Sequence, residues 1–229
     1  ASIKDKDLLH FYQDAAYRYG KMQERVGDLD GALTGYENVL KTNPEKEIER
    51  QLKTEMADLY IKGAREKQGQ KRKDDLQRAQ KLCQNVLWGG TDIWFGKCIN
   101  ILAHIKMLQG DEKGARETIV DYMDMLKKVD ERMEEDGISM NNSPMAGARF
   151  LLGELYLKQP EGLAKADDEG QAIEAYATAL KQFVNVFAKY TGSKWAGEAG
   201  DFAEEIQQTL QEDYGKQVNI DLGKYRLNA

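Results

Sequence analysis

Three prolines, two cysteines and two histidines are all that the 229 residues contain of those types. So little proline leaves long stretches uninterrupted and favours helix. Two cysteines, Cys83 and Cys98, are too few for a disulfide framework. Cys83 falls at a helical packing position and reads as a small buried hydrophobe. Nothing in the sequence supports a bridge from it to Cys98. Two histidines make a metal site hard to assemble. His10 reads as a surface or helix-packing residue, and His104, six residues after Cys98, does not share its helix face. There is no His-Glu-x-x-His, Cys-x-x-Cys, Gly-x-Ser-x-Gly or glycine-rich phosphate loop. The expectation is a non-enzyme with no cofactor and no metal.

Long apolar runs are missing as well. None approaches the roughly 20 residues that cross a bilayer, so no transmembrane segment is expected. A formal charge of −6 argues against nucleic acid as a partner. No signal peptide is visible and the first residue is Ala, as in a processed chain or a fragment. The expectation is a soluble chain whose compartment stays open between periplasm or cell envelope and cytoplasm.

What is present is a repeated stripe. Asp28-Ala32-Tyr36-Leu40, Asp75-Ala79-Cys83-Leu87, Asp111-Ala115-Ile119-Met123 and Asp168-Ala172-Tyr176-Leu180 each step by four residues. Residues four apart share one helical face. Asp suits an N-cap, because its carboxylate accepts from free N–H groups at the positive helix end. Ala lets another helix approach, and the larger residues fill the space between. Recurrence of such a unit marks a stacked repeat protein.

The pattern predicts helices over about 5–26, 28–42, 45–68, 75–88, 91–108 and 111–135. A loop follows at 136–144, then a seventh helix carrying Phe150 and Leu155, and a loop around Pro160. Helices at about 168–190 and 193–212 complete the chain. Gln217-Val218-Asn219-Ile220 is the nearest thing to a strand. Gly69-Gln70-Lys71-Arg72-Lys73 reads as a basic loop. Asp130-Glu131 and Glu134-Glu135-Asp136 read as a solvated helix end, since the spaced ligands of a calcium loop are absent. Met123, Met125, Met133, Met140 and Met145 suit either gap-filling or an adaptable binding surface.

Each striped helix has an upstream companion. Gly20 precedes Ala32 by twelve residues with Gly27 at the turn, and Ala103 precedes Ala115 by twelve with Gly110 at the turn. These spacings resemble the tetratricopeptide repeat, a 34-residue helix-turn-helix unit. Ala57-Asp58-Leu59-Tyr60 and Leu152-Gly153-Glu154-Leu155-Tyr156 have the look of its first helix but sit ten and seven residues too far upstream. Trp195, Ala199 and Phe202 match first-helix positions of a last, unpaired helix. The stretch from Phe187 to Ala199 is similar to tracts in bacterial cell-envelope members, such as the outer-membrane barrel-assembly lipoprotein, without their usual Pro.

The resemblance implies an all-α, right-handed superhelix in a single domain. Its hairpins fall at about 5–44, 45–90, 91–136 and 143–190, with a capping helix at 193–213. It implies packing roles for Ala32, Tyr36, Ala79, Cys83, Ala115, Ile119, Gly153, Ala172 and Tyr176. First helices of this family line a concave groove for peptides or partner helices. The matching positions are Tyr17, Lys21 and Glu24; Gln51, Thr54 and Asp58; Asn100, His104 and Met107; and Phe150 and Glu154. Lys21 stands where carboxylate-clamp members want Asn, and Asp58 would repel a carboxylate, so no such clamp is expected. The function implied is a bacterial, non-catalytic interaction scaffold for a protein or peptide. The alternatives are a self-associating structural subunit, in which end helices stack on another copy, and a sensor or enzyme that uses the solenoid as a ligand pocket.

Overall fold

The computed structural model describes residues 6–163, 169–218 and 220–226. Among the described residues there are helices and connections and no strand. The chain divides into two compact units, 1–105 and 106–229.

In the first unit α1 (Lys6–Arg25) and α2 (Leu29–Leu40) form a hairpin. Gly27 turns the chain at φ +82°, a conformation that glycine adopts without a Cβ penalty. Asp28 caps α2 by accepting from the Gly31 N–H at 2.9 Å. Gly20 and Gly35 bring the helices close: a Cβ on Gly35 would lie 2.8 Å from the Gly20 Cα. A second hairpin joins α3 (Lys46–Glu66) to α4 (Gly69–Leu87). Ala32, Tyr36, Val39, Leu52, Met56 and Leu59 form a core against which Ala16, Leu29 and Leu82 pack. The next helix, α5 (Ile93–Leu108), starts in this unit.

Arg50 of α3 ties the end of α4 to the start of α5. Its guanidinium donates to the Val86 carbonyl at 2.5 Å and the Gly90 carbonyl at 2.8 Å, and forks onto Asp92 at 2.6 and 3.0 Å. Asp92 in turn accepts from the Phe95 N–H at 2.9 Å, which caps α5. A Cβ on Gly89 would fall 1.8 Å from Arg50 Nη1. The Trp88-Gly89-Gly90 stop therefore exists partly to admit this arginine, a role that spacing alone does not reveal.

Two expectations fail here. The supposed basic loop from Gly69 to Lys73 is the first turn of α4, as suits its Gln, Lys and Arg. Asp75 consequently lies inside the helix and is no cap. It is buried and paired with Lys67 at 2.7 Å. Cys83 and Cys98 are both buried and free. The Cys83 thiol is pushed up by its hydrogen bond to Cys98 and by burial, and Thr54 Oγ1 lies 3.4 Å from the Cys98 sulfur.

The second unit contains α6 (Glu112–Glu135), a 3₁₀ turn at Met140–Asn142, α7 (Pro144–Leu163), α8 (Glu169–Lys189), α9 (Ala196–Glu212) and the short α10 (Gly223–Arg226). Asp111 caps α6 through the Gly114 N–H at 2.9 Å; Asp168, the fourth expected cap, lies outside the described residues. The core gathers Phe150, Phe183, Phe187, Ile206 and Leu210, with Phe202 packed against it. Phe183 and Phe202 stack at 4.8 Å between ring centroids, and Phe150 meets Phe183 edge-on at 5.4 Å. Gly153 makes room for this cluster, since a Cβ there would lie 2.6 Å from the Phe183 ring.

Three further corrections belong to this unit. The chain around Pro160 is helical as far as Leu163. Asp130 is not part of a solvated helix end; it is buried, bonded by the Ser143 hydroxyl and by the Met145 N–H at 3.4 Å. Burial raises its pKa, and those two bonds oppose the shift without cancelling it. Through them Asp130 pins the start of α7, where Pro144 occupies the first turn and costs no hydrogen bond. Gln217 to Ile220 form no strand among the described residues; Gln207 instead donates to the Val218 carbonyl at 2.7 Å and holds the tail on α9. Of the methionines between 123 and 145, Met133 and Met145 are core residues.

A candidate partner-binding face

The candidate face is built on α1 and α3, the leading helices of the two hairpins in the first unit. Gln51, Glu55, Asp58 and Lys62 follow one another at steps of four, three and four, which keeps them on one face of α3. Tyr17, Lys21 and Glu24 do the same on α1. The two rows interlock. Gln51 Nε2 donates to the Tyr17 hydroxyl at 2.9 Å and to Glu55 Oε1 at 3.0 Å. The Tyr17 hydroxyl donates to the same Glu55 oxygen at 3.2 Å. Lys62 reaches Glu24 at 2.8 Å and Asp58 at 3.0 Å, while Lys21 reaches Glu24 at 2.7 Å. Tyr36 of α2, fully buried, donates from below to Glu24 Oε2 at 3.2 Å.

This arrangement shifts several groups. Burial alone would raise the Glu24 carboxyl, but hydrogen bonds and charge from Lys21 and Lys62 outweigh it and bring the pKa down to about 2. Burial, then the Glu55 carboxylate, pushes the Tyr17 phenol up to about 12. Tyr36 is raised further by burial and by Glu55 and Glu24. Glu55 Oε2 is buried without a hydrogen bond and is compensated by the Lys21 ammonium at 3.6 Å.

The other expected groove residues divide. Asn100 and His104 lie half-buried on α5, and Arg65 Nη2 meets His104 Nε2 at 2.7 Å. Met107, on the α5 end that belongs to the second unit, and Glu154 on α7 are also half-buried. Two residues do not face solvent. Thr54 is 2% exposed and donates to the Arg50 carbonyl at 2.8 Å. It directly precedes Glu55 and so lies about 100° around the helix from it, on the edge that meets Cys98. Phe150 is 7% exposed and forms part of the second unit's aromatic core, because Gly153 draws Phe183 against the same stretch of α7. Neither can touch a partner. The packing positions Ala32, Tyr36, Ala79, Cys83, Ala115, Ile119, Gly153 and Ala172 are buried, and Tyr176 is partly buried against the second core.

Glu55 and Lys62 were missed in the sequence, although the steps of four, three and four from Gln51 would have found them. Among the described residues no cluster of three or more His, Cys, Asp or Glu side chains is placed to hold a metal. No helix among them is long and apolar enough to cross a membrane.

No family model matches this chain, and no curated protein matches it. Among solved structures it is similar to one described as the crystal structure of MamA protein. That similarity has 15% identity and a TM-score of 0.46, and it covers 91% of this chain and 97% of the other.

Proposed function

We propose that this chain is a non-catalytic, tetratricopeptide-like interaction protein that takes a peptide segment or partner helix on the α1–α3 face. The observation that carries the reading is the interlocked, half-exposed row of Tyr17, Lys21, Glu24, Gln51, Glu55, Asp58 and Lys62, which presents both carboxylates and ammonium groups. A row whose side chains already hold one another loses little rotamer freedom when a ligand arrives. Its alternating carboxylates and ammonium groups match a segment carrying both N–H donors and acidic side chains. The two helical hairpins of the first unit, with Gly27 and Asp28 at one turn, support the tetratricopeptide-like reading.

The experiment is selection of short peptides from a displayed library on the wild-type protein, followed by titration against a Tyr17→Ala, Gln51→Ala, Glu55→Gln triple variant. Wild type should yield binders with Kd of about 1–100 µM, weakened at least about tenfold by the variant at unchanged helicity. Recovery of no binder, or binders indifferent to the variant, would overturn the proposal.

A further inference from the structure

The outer surface of α1 carries a second apolar face that its hairpin with α2 does not use. Leu8, Phe11, Tyr12, Tyr19, Met22 and Val26 are 59, 71, 41, 45, 55 and 72% exposed. With the exposed Ala15 they recur at steps of three and four, so they form one stripe along the helix. The side of α1 packed on α2, with Gly20 and Ala16, lies roughly 110° around the helix from the centre of this stripe. A helix face open to solvent is normally polar. Here the six large side chains offer roughly 600 Å² of apolar surface, at the upper end of what a monomer leaves in one patch.

The charges beside the stripe say what covers it. One flank carries Asp7 and Asp14 on the N-terminal half and Arg18 and Arg25 on the C-terminal half, all exposed. Arg18 and Asp14 pair within the helix at 2.8 Å with 78% and 48% of their side chains exposed, so both stay open to other partners. Two copies laid antiparallel bring the acidic half of one against the basic half of the other. The same register sets Leu8 opposite Val26, Tyr12 opposite Met22 and Ala15 opposite Tyr19 of the second copy. A parallel two-fold pairing would put the charged flanks of the two copies on opposite sides of the seam, where they could not pair. A self-paired interface of this kind would bury about 1,200 Å² in total, the lower end of what stable association requires.

We infer that this face of α1 binds a second copy of the chain, as an antiparallel, two-fold helix pair. The pairing is separate from the α1–α3 polar face and does not depend on it. The test is light scattering of the full chain at about 100 µM, above the Kd expected of an interface of this size. Wild type should show about twice the 26.0 kDa mass of one chain, and Met22→Glu should reduce it to the mass of one. Two surface variants sharpen the result: Asp7→Lys with Asp14→Lys, and Arg18→Glu with Arg25→Glu. Each alone should be monomeric at unchanged circular dichroism, and their equimolar mixture should recover the doubled mass. A monomeric wild type, a dimer that survives Met22→Glu, or a mixture no heavier than its components would overturn the inference.

Discussion

Arg50 does more in the first unit than any other single side chain described. One guanidinium satisfies two carbonyls at the end of α4 and holds the carboxylate that caps α5. Gly89 is the space it needs. Gly89→Ala should therefore lower the unfolding free energy by about 1–3 kcal/mol in urea titration, through displacement of Arg50 from buried partners. The same substitution in an Arg50→Ala background should cost almost nothing; an undiminished cost there would refute the explanation. Glu24 gives a second residue-level test. Its pKa is about 2 when folded against an ordinary 4.5, so the folded state binds its proton less readily than the unfolded state. The stabilisation is fully present above about pH 4.5 and is lost as the pH falls towards 2. Glu24→Gln should cost about 2 kcal/mol at pH 7, a penalty that shrinks to nothing near pH 2. A penalty independent of pH would contradict the assignment.

At the scale of elements, the caps separate what spacing predicts from what packing decides. Asp28 and Asp111 cap their helices, and Asp28→Ala should cost about 1 kcal/mol in thermal or urea unfolding. The second aspartate of the stripe pattern, Asp75, had the same sequence context but a different fate. Gly69, at φ +62°, lets α4 begin six residues earlier, and Lys71, Arg72 and Lys73 are good helix formers whose charge suggested a loop. Most helices were legible because Gly, Pro and Asp punctuate them physically. Pro160 misled because a proline near the end of a helix forfeits only one backbone bond. The burial of Asp130 was not legible, since its partner Ser143 lies across a loop whose path no local pattern specifies.

At the scale of the molecule, each unit has its own core, one built around Tyr36 and Leu52 and the other around stacked phenylalanines. Five of the seven residues of the candidate face, Tyr17, Lys21, Glu24, Gln51 and Asp58, were named by their match to repeat positions and are at least partly exposed. Thr54 and Phe150 went inward because a match to a repeat position carries no information about small rotations of a helix or about the glycine opposite. The central claim is that the α1–α3 row receives a partner. Its most direct test is amide chemical-shift mapping of the labelled full chain during titration with a selected peptide. The account predicts shifts centred on Tyr17, Lys21, Gln51, Glu55 and Lys62. Shifts confined to the outer stripe of α1, or to residues 106–226, would contradict it.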